Sequence, residues 1–102
     1  MTSRRKPVHP GRILLQEILE PAKVSRRRLA RATGLSRTRV GEIVRGRRRV
    51  TAEVALRLEE ALGVSARTWM NLQTLHDLER ASLAEGTRIA RSTQRLDMGE
   101  AT

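Results

Sequence analysis

The amino-acid sequence predicts an all-α fold, five short helices in a single domain, and three observations carry that prediction. Apolar residues recur at helical spacing along most of the chain, and no segment alternates like a strand. Ser, Thr or Pro precedes each of these stretches, and Gly follows three of them. The 102 residues are rich in Leu, Ala, Arg and Glu, with Trp69 the one aromatic residue. That composition favours helix.

Each element has its own signals. Pro10 suits a first helical position, Ile13, Leu14, Ile18 and Leu19 follow at helical spacing, and Pro21 is expected to end the first helix. Ser25 caps a second helix bearing Leu29, Ala30 and Thr33, and Gly34 closes it. Ser36 caps a third, in which Val40, Ile43 and Val44 share a face before Gly46. Thr51 caps a fourth, with Ala55, Leu58, Ala61 and Leu62 inward and Gly63 as its stop. Ser65 caps a fifth, where Trp69, Leu72, Leu75 and Leu78 recur every three residues. The pattern fades from about Ser82, which reads as a frayed helix or a tail. The expected organisation is therefore a basic N-terminal arm (1–8), a helical domain (9–80) and a partly helical or disordered extension (81–102).

Composition excludes several function classes. Without cysteine there are no disulfides, thiolate metal sites or cysteine nucleophiles. With one aromatic residue there is little on which single-stranded bases could stack. No apolar run reaches the length of a membrane span and the N-terminus lacks a signal-like stretch, so a cytoplasmic location is expected. His9 and His76 lie far apart in sequence, without a recognisable ligand spacing, and no metal or cofactor is expected. His9 reads as helping to start the first helix, and His76 as a polar tip on the fifth. Ser25, Ser36 and Ser65 are explained as caps, while Glu59–Glu60 and Asp77–Glu79 read as solvated surface. No catalytic residue is expected, and the chain is not read as an enzyme.

Charge says more by its distribution than by its total of +10. Residues 25–49 hold ten Arg against the single acid Glu42, whereas residues 52–85 hold three Arg against six acids. A basic block beside a mildly acidic one is the footprint expected for a phosphate backbone. Gly34 and Gly46 divide the block, which disfavours a continuous basic membrane-surface helix.

The second and third helices are separated by a short turn containing Gly34, the spacing of a helix-turn-helix. Ala30 lets the two helices approach, Gly34 takes positive φ, and Val40 and Ile43 lock the third helix onto the second. The opposite face then projects into solvent. Arg37, Thr38, Glu42 and Arg39 are the candidates for base edges, since Arg can bond guanine bidentately and Glu can accept from cytosine. Arg26, Ser25, Ser36, Arg45, Arg47, Arg48 and Arg49 are the candidates for phosphate contact. Gly41 is unusual inside such a helix, and close approach of DNA is one explanation.

HPGRILLQEILEP (9–21), the helix-turn-helix, and GEIVRGRRRVTAEVALRLEEALGVSARTWMNLQTLHDL (41–78) with its WMNLQ (69–73) resemble the HigA-type antitoxins. Those belong to the wider repressor-like (lambda/Cro-type) helix-turn-helix proteins, and the resemblance covers about residues 7–80. Val50, Met70 and His76 are mild departures from the family's usual Ile, Leu and Tyr, and Gly41 replaces a position that is often polar. The resemblance implies a five-helix repressor-like domain that binds a palindromic operator in double-stranded DNA as a homodimer and represses its own operon. It also implies a RelE-like messenger-RNA endonuclease toxin as partner. The expected dimer contacts are Trp69, Leu72, Leu75 and Leu78. A stand-alone repressor without a toxin is the main alternative, and a basic RNA-binding protein a more distant one.

Overall fold

The computed structural model describes residues 7–99, and every regular element among them is helical. Helix α1 begins at Pro10 and is capped by His9, whose Nδ1 accepts the Gly11 N–H at 2.9 Å. Its first turn, Pro10–Ile13, widens into a π-helical stretch, Leu14–Leu19, and tightens again over Glu20–Ala22. Pro21, expected to stop this helix, lies inside its last turn instead. A proline lacks the N–H and presses on the carbonyl four residues back in a regular helix, and a wider turn just before it meets both demands. The actual stop is Lys23, in the left-handed region at φ 58°.

Four further helices follow: α2 (Arg26–Thr33), α3 (Arg37–Val44), α4 (Ala52–Leu62) and α5 (Ala66–Ser92). Each starts where the sequence places a cap. Ser25, Ser36, Thr51 and Ser65 accept the N–H of the residue three positions on, at 3.0, 3.0, 3.3 and 3.1 Å. Such caps contribute about 1 kcal/mol each. Gly34 closes α2 at φ 77°, where a Cβ would be strained.

The core forms where these helices cross. Leu14 and Leu19 from α1, Leu29 and Ala30 from α2, and Val40, Ile43 and Val44 from α3 are buried together. Val54, Ala55 and Leu58 from α4 and Trp69 from α5 complete the cluster, with Leu35 and Val50 from the loops. Val54 is fully buried although the helical pattern did not single it out, and Ala61 and Leu62 are only half-buried. Helix α1 crosses α3 so closely that a Cβ on Gly11 would lie 1.7 Å from the Ile43 carbonyl oxygen. The glycine in the HPG motif is therefore a packing requirement.

Only the first part of α5 packs on this core, through Trp69, Gln73 and His76. The helix nevertheless continues to Ser92, well past the point where the apolar pattern fades, with residues 77–92 largely exposed. Good helix formers such as Ala81, Leu83, Ala84, Glu85 and Arg88 sustain it, with Arg88 and Glu85 paired one turn apart. Most of the expected basic arm, residues 1–6, falls outside the described residues.

A candidate nucleic-acid interface

The turn between α2 and α3 is tied down from two directions. Thr33 Oγ1 donates to the Leu29 carbonyl at 2.8 Å, closing the last turn of α2 from within. Arg57, reaching across from α4, donates from Nη1 to the Thr33 carbonyl at 2.9 Å. With Leu35 buried beneath the turn, α3 is held against α2 by Val40 and Ile43, and its opposite face is left open. This is the scaffold a recognition helix needs: a rigid base that presents one face.

That open face is the floor of a shallow basic groove. Arg26 and Arg27 from the start of α2, Arg37, Thr38, Gly41 and Glu42 from α3, and Arg45 and Arg47 just beyond it line the groove. Gly41 is buried, and the group lying over it is the Arg45 guanidinium: a Cβ there would sit 3.4 Å from Arg45 Nη1. The absent side chain thus lets Arg45 fold back along its own helix.

The site residues expected from sequence divide into four groups. Arg37, Thr38 and Glu42 stand together in the groove, with Arg26, Arg45 and Arg47 around them. Arg39 does not join them: its guanidinium turns toward α4, with Nη2 3.9 Å from Glu53 Oε1, because its place on the helix faces α4. Arg48 and Arg49 are engaged by the protein's own carboxylates, Arg48 Nε donating to Glu42 Oε1 at 2.7 Å and Arg49 Nη2 to Asp77 Oδ2 at 2.6 Å. The Ser25 and Ser36 oxygens accept the capping bonds, so each hydroxyl retains its proton for donation outward. Arg27 lines the groove although sequence reasoning passed over it; its place in the first turn of α2 beside Arg26 was the available signal.

The expected dimer contacts also divide. Trp69 is 1% exposed, buried in the protomer's own core, and has no surface to offer a second copy. Its bulk is the largest in that core, and its burial there removes a large apolar ring surface from water. Leu72 is half-buried against the same core, whereas Leu75 and Leu78 are 53% and 64% exposed.

Behind the groove, a polar cluster joins α5 to the loop that carries Arg45–Arg49. Gln73, 1% exposed, accepts the Val50 N–H at 2.7 Å through Oε1 and donates from Nε2 to Asp77 Oδ1 at 2.9 Å. His76 is buried rather than a solvated tip, and its ring meets that of His9 edge-on at 5.0 Å. Asp77 is likewise a link between elements and not merely solvated surface. Partial burial lowers the pKa of His9 below its ordinary value, and the neighbouring His76 ring adds to that. Partial burial works against the Asp77 charge, but the Gln73 hydrogen bond and the Arg49 guanidinium outweigh it and hold the carboxyl below the usual carboxylate range. Among the described residues no three His, Cys, Asp or Glu are grouped to hold a metal ion, and no helix is long and apolar enough to cross a membrane.

Two helices packed across a Gly turn, with the second presenting an arginine-lined open face, define a helix-turn-helix protein. Comparison with known proteins bears this out, since the helix-turn-helix family matches residues 15–69. Virulence-associated protein I of Dichelobacter nodosus is 46% identical over 74 residues, 72% of this chain and 68% of that one. Antitoxin HigA-1 of Vibrio cholerae is 38% identical over 76 residues, 74% of this chain and 71% of its own. The solved structure of Pseudomonas aeruginosa antitoxin HigA with the higBA promoter superposes with a TM-score of 0.87 at 39% identity, covering 90% of this chain and all of that one. The chain belongs to the helix-turn-helix family and, within it, to the HigA-type group.

Proposed function

We propose that this protein is a dimeric antitoxin that binds its own operator in double-stranded DNA, represses its operon in the cytoplasm, and neutralises a RelE-like messenger-RNA endonuclease. The observation that carries the DNA half is the groove over α3, where five guanidiniums surround Thr38 and Glu42. In this reading Arg37, Thr38 and Glu42 meet base edges, and Arg26, Arg27, Arg45 and Arg47 grip phosphates. The first residues of α2 and α3 line the same groove, so the N–H groups of those helix starts add donors there. A single chain reads one half-site, so a palindromic operator calls for two copies, and Leu75 and Leu78, one turn apart on α5 and more than half exposed, are apolar residues that can join them. The promoter-bound HigA structure supports the DNA assignment by likeness, and the HigA-1 relative supports the antitoxin assignment.

The toxin half is tested by co-expression. A small nuclease encoded beside this gene should co-purify with the chain and lose its messenger-RNA cleavage in the complex. If every neighbouring product cleaves RNA undiminished, or none binds, the stand-alone repressor is the correct reading.

A further inference from the structure

Gln73 is a buried carboxamide in a core of aliphatic side chains, where Leu or Met would fill the same space without desolvating an amide. What it does there is specific. Its Oε1 accepts the main-chain N–H of Val50, the residue that ends the arginine loop, and its Nε2 donates to Asp77, which in turn accepts from the Arg49 guanidinium. The front of the same loop is held independently, Gly46 N donating to the Ile43 carbonyl at 2.9 Å and Arg47 N to the Glu42 carbonyl at 2.8 Å. Arg47, Arg48 and Arg49 therefore hang from a short backbone span fixed at one end by α3 and at the other by Gln73.

We infer that Gln73 is a positioning residue for DNA binding: it fixes the Arg47–Arg49 loop in the conformation that meets the phosphate backbone. The inference rests on the DNA-binding reading above. Long guanidinium side chains on an unanchored loop lose freedom when they dock, and anchoring the backbone beforehand removes part of that cost. Carboxylates add a second hold on two of the three, Glu42 on Arg48 and Asp77 on Arg49. Because carboxylate pairs with partly exposed Arg48 and Arg49 are weak, phosphate can replace them on binding, and Glu42 is then free for a base edge. The buried bond to Val50 is the one that persists.

The test is a mutant cycle. Gln73→Met keeps volume and apolar fit while removing both hydrogen bonds, and it is combined with the triple variant Arg47→Ala, Arg48→Ala, Arg49→Ala. Each protein is titrated against the duplex upstream of its own gene, and its urea midpoint is measured. Gln73→Met alone should weaken binding about tenfold, within the range for coupled neighbours, and lower the salt slope by about one. In the triple-Ala background it should change affinity by less than about twofold while lowering the urea midpoint as before. Equal weakening in both backgrounds would show that Gln73 only stabilises the fold, and would overturn the inference. Should Gln73→Met not fold, amide exchange of the wild-type chain decides instead: Val50 should be slow in the free protein and stay slow on DNA, and rapid exchange in the free protein overturns it. A wild type without preference for its upstream duplex removes the DNA reading and this inference together, whereas preference without coupling removes the inference alone.

Discussion

Replacing Gly41 by Ala separates fold stability from DNA contact at one atom. Glycine inside a helix costs about 1 kcal/mol relative to Ala. The new Cβ would meet only the end of the Arg45 side chain, Nη1 at 3.4 Å and Cζ at 3.9 Å, and that flexible end can swing outward. Little of the propensity gain is therefore lost, and Gly41→Ala should stabilise the protein by about 0.5–1 kcal/mol. For a domain of this size that raises the melting temperature by roughly 2–8 °C. The same methyl rises from the floor of the groove between Thr38 and Arg45, so operator affinity should fall about tenfold, or about 1.4 kcal/mol. Calorimetric melting and fluorescence titration with operator duplex read the two effects separately. Destabilisation by more than about 1 kcal/mol would refute the packing argument, because Gly41 would then be pressed by backbone rather than by Arg45. Unchanged affinity in a stabilised variant would refute the placement of this face against DNA.

Gly11→Ala should do the opposite to stability. A Cβ placed 1.7 Å from a main-chain oxygen forces α1 away from α3, and a loss of about 3 kcal/mol or more is expected in urea denaturation. His9 introduces a pH dependence. Its pKa in the folded chain lies below the ordinary 6.5, so the unfolded state binds more protons in that interval. Stability is fully present above pH 6.5 and is lost as pH falls from there through the depressed value, by at most about 1.4 kcal/mol per pH unit for one proton. His9→Asn keeps an N-cap without a titrating ring, and equilibrium unfolding from pH 7.5 to 5 should show a shallower slope than in the wild type. On α5, the double variant Leu75→Asp, Leu78→Asp should dissociate the proposed dimer in analytical ultracentrifugation while leaving the helical signal intact, since both side chains are exposed in the single chain. An unchanged dimer would place the interface elsewhere.

The parts legible in the sequence are those set by neighbours along the chain. The four hydroxyl caps, the Gly34 turn and the apolar face of α3 each depend on residues a few positions apart, and each stands where the pattern puts it. Groove membership of Arg37, Thr38 and Glu42 follows from helical geometry once α3 is oriented. Links over long sequence separations were not legible. Gln73 and Val50 are 23 residues apart, and Arg57 and Thr33 are 24 apart, so no local pattern announces either bond. His9 and His76 lie 67 positions apart in sequence, yet the fold brings their rings together. The length of α5 is hidden in the sequence for a different reason. Apolar periodicity detects helices that bury a face, whereas residues 77–92 hold helical form by propensity and lie largely exposed. Arg39, Arg48 and Arg49 show the corresponding limit for charge: a basic residue in a basic block still takes a nearby carboxylate when the fold supplies one.

Whether the open face of α3 reads DNA sequence is decided by titrating the purified protein against its own upstream duplex and a scrambled duplex at two salt concentrations. The wild type should show a clear preference for the upstream duplex, with affinity for both falling steeply with salt, and the Arg37→Ala, Thr38→Ala double variant should lose the preference with non-specific binding only modestly weakened. Equal, purely salt-sensitive affinity of the wild type for both duplexes would show that this face does not read sequence.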